Sequence, residues 1–224
     1  MNIQLNLIVK HVKYREVEVA ALTMTSESKR KRSINTSWSE RTDGELVLLT
    51  LEGKQEAFGM IVERYRSGAV RLATAIVGDW EAARDISQDA FIKAYRALNT
   101  FDVHSPFMPW FYRILRNTCL DQLRRKKRFR QMIEKSVVHT EDRGNLWDDI
   151  SRSDMAVIVR KAVMCLKDKD REIIELRHFS GLSYREIAEI LKIPQGTVMS
   201  RLHCARKILQ EVLIKDFGIK AGEI

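Results

Sequence analysis

Glycine, proline and cysteine are scarce in this chain of 224 residues. With 10 Gly and 3 Pro, the sequence offers few of the turns that a β-sandwich needs, and no long linker rich in these residues. The three cysteines are odd in number, widely separated and outside any C-x-x-C pair, which argues against a disulfide framework or a zinc site. We interpret Cys119, Cys165 and Cys204 as small residues of apolar helix faces in a protein of the reducing cytoplasm.

Long hydrophobic runs and catalytic motifs are missing as well. No apolar run reaches the roughly 18 residues of a membrane-spanning helix, so the sequence predicts no membrane insertion. The five histidines are scattered, and the chain has no H-E-x-x-H, P-loop or nucleophile motif. We therefore predict no enzymatic activity, no metal and no cofactor.

Basic residues are in excess. Lys and Arg total 39 against 30 Asp and Glu, which gives a formal net charge of +9. Such a balance favours a polyanionic partner, with nucleic acid the first candidate and an anionic membrane surface the second. The hydrophobic fraction of 45% is enough for globular cores, and the length allows one domain or two small ones.

Two short helical patterns on either side of a tight turn occupy residues 181–209. Ser183 is the predicted N-cap of the first helix, and Glu186 three residues later completes a capping box. In the turn, Pro194 keeps the residue before it out of helical conformation, and Gly196 is expected to relieve crowding where the second helix begins. The pattern predicts a helix-turn-helix, whose second helix can enter the major groove of DNA. The alternative is an ordinary helical hairpin with a solvated basic face.

The second of these helices has distinct inward and outward sides. Arg side chains on the outward side could read guanine or grip phosphate, while Ser and Thr could bond to phosphate or base edges. The residues predicted to face inwards are Val198, Leu202, Ala205 and Leu209. The residues predicted to face outwards are Thr197, Ser200, Arg201, His203 and Arg206.

Two further amphipathic helices are predicted earlier in the chain. Residues 80–98 combine an apolar face with a mixed-charge face, which is most often simply a solvated face. Residues 109–125 follow a loop at 99–108 and form a basic helix that begins with aromatic residues. Cations can hold phosphates and ring faces can receive an unstacked base, so this composition suits single-stranded DNA. The alternative is a packing role, which we expect for one or two of Trp110, Phe111 and Tyr112.

Several of these segments match the motifs of one family. The runs LKDKDRE at 166–172, LRHF at 176–179, GLSY at 181–184 and IPQGTV at 193–198 closely resemble region 4 of bacterial extracytoplasmic-function (ECF) sigma factors. That region reads the −35 promoter element. Residues 80–98 resemble region 2.2, which grips the β′ clamp helices of RNA polymerase. Residues 101–125 resemble regions 2.3 and 2.4, which capture the melted −10 element.

The resemblance implies an all-α fold of two small helical domains joined by a flexible linker. It implies an alternative sigma factor that binds core RNA polymerase through the β′ clamp helices and the β flap, directs promoter-specific initiation in the cytoplasm, and is controlled by an anti-sigma factor. The segments are an N-terminal extension at 1–39, region 2 at 40–130, a linker at 131–154, region 4 at 155–215 and a tail at 216–224. The extension is interpreted as a disordered arm, a small regulatory appendage or an over-extended start before Met24.

Carried over position by position, the resemblance implies three groups of contact residues. The −35 group is Arg185, Thr197, Ser200, Arg201, His203 and Arg206. The −10 group is His104, Ser105, Trp110, Arg113, Arg116, Asn117, Arg124 and Arg125. The polymerase-binding group is Asp85, Gln88, Asp89 and Phe91, of which Phe91 suits a core position better than a contact.

Two positions depart from the family pattern. Lys167 stands where the family usually has Pro, which bears only on a helix start, and Met199 stands where Lys or Arg is common, which removes a possible phosphate or base contact. The competing hypothesis is a conventional helix-turn-helix regulator that binds duplex DNA without polymerase, usually as a dimer.

Overall fold

The computed structural model describes Trp38, residues 40–133 and residues 155–219. Nearly all of the predicted N-terminal extension, the predicted linker after Ile133 and the end of the tail lie outside the described residues. The described residues form eight α-helices without a strand, which confirms the all-α prediction. The helices are α1 (Asp43–Leu51), α2 (Gln55–Val77), α3 (Trp80–Arg96), α4 (Phe107–Ile133), α5 (Met155–Met164), α6 (Asp168–Ile174), α7 (Tyr184–Leu191) and α8 (Gln195–Phe217).

The boundaries of α1, α2 and α3 follow local capping chemistry. Thr42 forms a capping box with Glu45 at the start of α1. The helical pattern that begins at Asp43 is broken by Gly53, whose φ of 94° permits the turn between α1 and α2. Gly78 ends α2 in the left-handed conformation, and the Asp79 carboxylate then accepts the backbone N–H of Ala82 to cap α3.

The start of α4 differs from the sequence prediction. The helix begins at Phe107 rather than at Pro109, because a proline within the first helical turn removes only an N–H that has no partner inside the helix. Phe107 is fully buried and packs against Trp110 and Phe111, so tertiary packing draws it into the helix. The helix also continues to Ile133, past the predicted start of the linker.

Helices α7 and α8 confirm the helix-turn-helix prediction, but the turn between them is made differently from the prediction. Ser183 and Glu186 form the expected capping box, and the four predicted inward residues of α8 are buried. The left-handed residue of the turn is Lys192, whose backbone N–H bonds to the carbonyl of Ala188. The explanation offered for Gly196 was wrong: a Cβ there would meet nothing within 4 Å.

The N-terminal bundle (α1–α4) and the C-terminal module (α5–α8) pack against each other. Helix α2 contacts α6 and the five-residue π-helical turn Glu175–Phe179, and α4 contacts α7. Buried apolar residues from both halves form one continuous core. The sequence predicted two domains joined by a flexible linker and gave no indication of this contact, which determines which surfaces remain open.

The cysteines divide into two kinds. Cys119 lies in the core, as interpreted, and burial raises the pKa of its thiol to about 12. The interpretation is wrong for Cys165 and Cys204, whose side chains are exposed. Among the described residues, no cluster of His, Cys, Asp and Glu could hold a metal ion. None of the described helices combines the length and apolar character that crossing a membrane requires.

Candidate nucleic-acid and polymerase interfaces

The first candidate interface, the α8 surface, comprises the exposed side of the first three turns of α8 together with Arg185 of α7. The inward stripe of α8 packs on α7 and α6, which turns the polar positions outwards. Thr197, Ser200 and His203 are exposed, Arg201 and Arg206 are half-buried, and Arg185 is exposed. The structure therefore leaves all six predicted −35 residues at least partly exposed on α7 and α8.

His178 supports this surface and was missed by sequence reasoning. Its Nε2 accepts a hydrogen bond from Nε of Arg206 at 3.1 Å. Nε2 therefore carries no proton, and the imidazole ring is uncharged. Burial, then the charges of Arg206 and Arg177, lower the pKa of His178 to about 4. A neutral His178 therefore restrains the Arg206 guanidinium from behind. The available sequence signal was the LRHF run, but only the fold places it behind α8.

We expect His178 to make the folded chain sensitive to acid. Its folded pKa of about 4 lies below the ordinary value of 6.5, so the unfolded chain binds more protons between these values. Its contribution is therefore complete above pH 6.5 and disappears as the pH falls towards 4, amounting to at most about 3 kcal/mol. The free energy of unfolding, measured with urea, should fall less between pH 7 and pH 4.5 for His178→Gln than for the unaltered chain. The amide oxygen of the glutamine can still accept a hydrogen bond from Arg206. Equal losses in both proteins would contradict this role.

The two departures from the family pattern have different structural consequences. Lys167 is the N-cap of α6 with φ −63°, the value that a proline ring imposes, so the helix still begins at Asp168. Met199 is 53% exposed on α8. An apolar side chain there can contact a thymine methyl group but cannot grip a phosphate. The departure at Met199 therefore changes the chemistry of an exposed surface, and the one at Lys167 does not.

The second candidate interface, the α4 surface, comprises the basic side of α4 and the loop before it. Arg113, Asn117, Arg124 and Arg125 are exposed on α4, and His104 and Ser105 are exposed in the loop. The carboxylate of Asp102 organises the loop by accepting the backbone N–H of His104 at 3.1 Å and the hydroxyl of Ser105 at 2.8 Å. These hydrogen bonds lower the pKa of Asp102 and hold the loop in one arrangement.

The aromatic residues at the start of α4 serve mainly in packing. Phe111 and Tyr112 are buried, which confirms the expected packing role for one or two of the three aromatics. Trp110 is half-buried, with its ring centroid 5.0 Å from that of Phe101. Trp110 therefore keeps one part of its ring available beside the loop, where an unstacked base could lie.

Arg116 occupies a different environment from the other predicted −10 residues. Its Nε donates to Oε1 of Glu172 at 2.6 Å, and Glu172 belongs to α6 of the C-terminal module. The Arg116 side chain is thus paired with a residue of the other part of the protein. In this conformation the structure does not bring Arg116 together with the exposed cations of the α4 surface.

The third candidate interface, the α3 surface, comprises Asp85, Gln88 and Asp89, which are exposed on α3. Phe91 lies in the core, with its ring stacked on Phe111 at 4.4 Å between centroids, so it supports the helix from inside. Sequence reasoning missed Ile92, which is 49% exposed. Ile92 lies three and four positions after Asp89 and Gln88, so it shares their side of the helix. A protein interface commonly centres on such an apolar residue among polar neighbours.

Comparison with known proteins finds two matching families and relatives that share most of this chain. The family described as Sigma-70 region 2 matches residues 61–129, and Sigma-70 region 4 matches residues 156–209. The ECF RNA polymerase sigma factor SigW of Bacillus subtilis is 35% identical over 172 residues, which cover 72% of this chain and 91% of that protein. The ECF RNA polymerase sigma-E factor of Escherichia coli K12 is 35% identical over 177 residues, which cover 75% of this chain and 92% of that protein.

Two solved structures are similar along most of the described chain. The sigma factor RpoE of Bartonella quintana, in complex with the anti-sigma factor NepR, has a TM-score of 0.58 and 27% identity. The match covers 71% of this chain and 98% of the RpoE chain. CnrH, in complex with the cytosolic domain of CnrY, has a TM-score of 0.56 and 26% identity. The match covers 78% of this chain and 98% of the CnrH chain.

Proposed function

The chain belongs to the ECF branch of the sigma-70 family of RNA polymerase sigma factors, and from that membership we propose how its three surfaces act in transcription initiation. The α3 surface binds core RNA polymerase, the α8 surface reads duplex −35 DNA, and the α4 surface captures the melted −10 strand. One observation carries the proposal: α3 exposes two carboxylates and an apolar side chain, whereas α4 and α8 expose basic and polar side chains. A protein partner and a nucleic-acid partner can therefore be held at the same time.

The α4 and α8 surfaces have the chemistry of weak binding sites that act together. Exposed Arg113, Arg124 and Arg125 neutralise phosphates on the single strand, and each contact releases counterions, so binding should weaken as salt rises. Trp110 and the ordered loop before α4 supply the face on which a base can rest. The two sites share one chain and one polymerase, so binding at one raises the effective concentration at the other.

Partners and location complete the proposal. We infer that region 4 also contacts the β flap of polymerase, that an anti-sigma factor controls the chain, and that both events occur in the cytoplasm. Two similar structures are complexes, one with a named anti-sigma factor and the other with a cytosolic domain, which supports this form of control. In this mechanism the polymerase supplies all the chemistry, so the chain needs neither catalytic residues nor a cofactor.

In vitro transcription tests the proposal directly. Purified core polymerase would be given a promoter library with and without the full chain. We expect transcripts that appear only with the chain, from start sites that share two spaced sequence elements. Tight duplex binding by the chain alone, without added initiation, would instead indicate a conventional regulator and overturn the proposal.

A further inference from the structure

Two ion pairs join the N-terminal bundle to the C-terminal module. Nε of Arg71 on α2 lies 3.1 Å from Oε1 of Glu175, and Nε of Arg116 on α4 lies 2.6 Å from Oε1 of Glu172. Glu172 and Glu175 are only 7% and 5% exposed. A buried carboxylate must be paired, because removal from water costs several kcal/mol. Here cations from the opposite half of the protein contribute to that pairing.

A third contact completes the end of a helix across the same boundary. Ala75 lies in the last turn of α2, where carbonyl groups have no partner inside the helix. Its carbonyl accepts a hydrogen bond of 2.7 Å from Nε of Arg171, a residue of α6 that is only 5% exposed. The same guanidinium bonds to the carbonyl of Met164 at 3.1 Å and to Oδ1 of Asp168 at 2.6 Å. Arg171 is thus fixed by its own module and caps the other one.

Tyr112 and Arg116 lie four residues, or one helical turn, apart on the face of α4 that turns towards the C-terminal module. Burial raises the pKa of the Tyr112 hydroxyl to about 12, and the charge of Glu175 from the C-terminal module acts in the same direction. Tyr112 is buried, and its hydroxyl packs so closely on Gly68 of α2 that a Cβ at Gly68 would lie 2.5 Å from it. The contact therefore covers Tyr112 and Arg116 on a helix whose remaining basic side is exposed.

The closed arrangement cannot reach two promoter elements. The −35 and −10 positions are about 25 base pairs apart, or roughly 85 Å along B-form DNA. The described part of the chain has about 160 residues, and a compact body of that size has a radius of gyration of about 15 Å and a width of roughly 40 Å. A chain that occupies both elements must therefore separate its two halves and break the ion pairs.

We propose that the contact formed by Arg71, Arg116, Glu172 and Glu175 is a latch that holds the free chain closed and keeps Arg116 from single-stranded DNA. The inference rests on the proposed role of the α4 surface. Because only the open fraction can bind, the apparent affinity for the −10 strand equals the affinity of the open form multiplied by the open fraction. Binding to polymerase, which holds the two halves apart, would release Arg116 for DNA at the moment it is needed.

A double substitution tests the latch in the full chain. Glu172→Gln with Glu175→Gln removes both carboxylate charges and preserves side-chain size. Glu211→Gln with Asp216→Asn is the control, because it makes the same charge change at two exposed positions of α8. Small-angle X-ray scattering should show a larger radius of gyration for the latch variant alone. Its affinity for a fluorescent −10 single strand, chosen from the transcription assay, should rise about tenfold, with −35 duplex binding unchanged.

Each outcome separates the latch from the proposed function. An unchanged radius of gyration in a variant that still binds −35 duplex would overturn the latch, whatever the transcription result. Expansion without a gain in single-strand affinity would overturn the masking of Arg116. If the double variant does not fold, Arg71→Gln opens the same contact from the N-terminal bundle and should give the same expansion. Transcription by the unaltered chain tests the function independently.

Discussion

Reversing the charge of the α3 surface should abolish transcription that depends on this chain. Asp85→Arg with Asp89→Arg places two cations where the proposed polymerase contact has two exposed carboxylates. Like charges brought together at an interface cost several kcal/mol, so we expect binding to core polymerase to weaken by about 100-fold or more. Co-purification with core polymerase and in vitro transcription would measure the loss. The α8 surface is untouched, so −35 duplex binding by the free chain should persist.

A matched control distinguishes the α3 surface from net charge. Glu211→Arg with Asp216→Arg adds the same positive charge at exposed positions near the end of α8. This control should bind core polymerase as the unaltered chain does. Normal polymerase binding by the α3 variant would contradict the assignment, whereas equal losses in both variants would indicate a nonspecific effect of charge. Because both carboxylates of α3 are exposed, neither substitution should disturb the core.

Replacing Arg201 should separate promoter recognition from polymerase binding. Arg201 is half-buried on the α8 surface, so its stem is supported while its guanidinium can reach a base edge or a phosphate. A bidentate contact to a base is worth about 1–3 kcal/mol, so Arg201→Ala should reduce −35-dependent transcription by about 5- to 100-fold. Titration of −35 duplex and transcription from matched and scrambled −35 elements would measure it.

The control for Arg201 removes the same charge from the same helix. Lys215→Ala lies in the last turn of α8, where the side chain is exposed and far along the helix from Thr197 and Ser200. It should leave −35 preference unchanged. Loss of polymerase association in Arg201→Ala would contradict the division of labour between α3 and α8. A uniform loss on matched and scrambled elements would identify Arg201 as a phosphate contact rather than a base contact.

Local signals were sufficient for most helix boundaries. Ser183 and Glu186 form the predicted capping box because the hydrogen bonds involved close within one turn of chain. Gly78 and Asp79 end one helix and start the next for the same reason. The inward stripe of α8 was predictable because burial follows the 3.6-residue period. The family membership followed from motifs of the same local kind.

Features that depend on distant neighbours were not predictable in this way. Phe107 joins α4 because its ring is enclosed by other aromatic rings. Cys204 falls on an exposed side of α8 and Cys165 lies in the turn just after α5, and the cysteine pattern alone could predict neither position. His178 became part of the α8 surface only through its contact with Arg206.

The amino-acid sequence by itself determined the helices, their caps, the helix-turn-helix and the family, because each rests on residues within a few turns of one another. Only the tertiary structure decided which charged residues face solvent and which face the other half of the chain. Arg116 and Glu172 are 56 positions apart, and no periodicity relates them. Their pairing depends on the packing of α4 and α2 against the C-terminal module, where a buried carboxylate requires a cation.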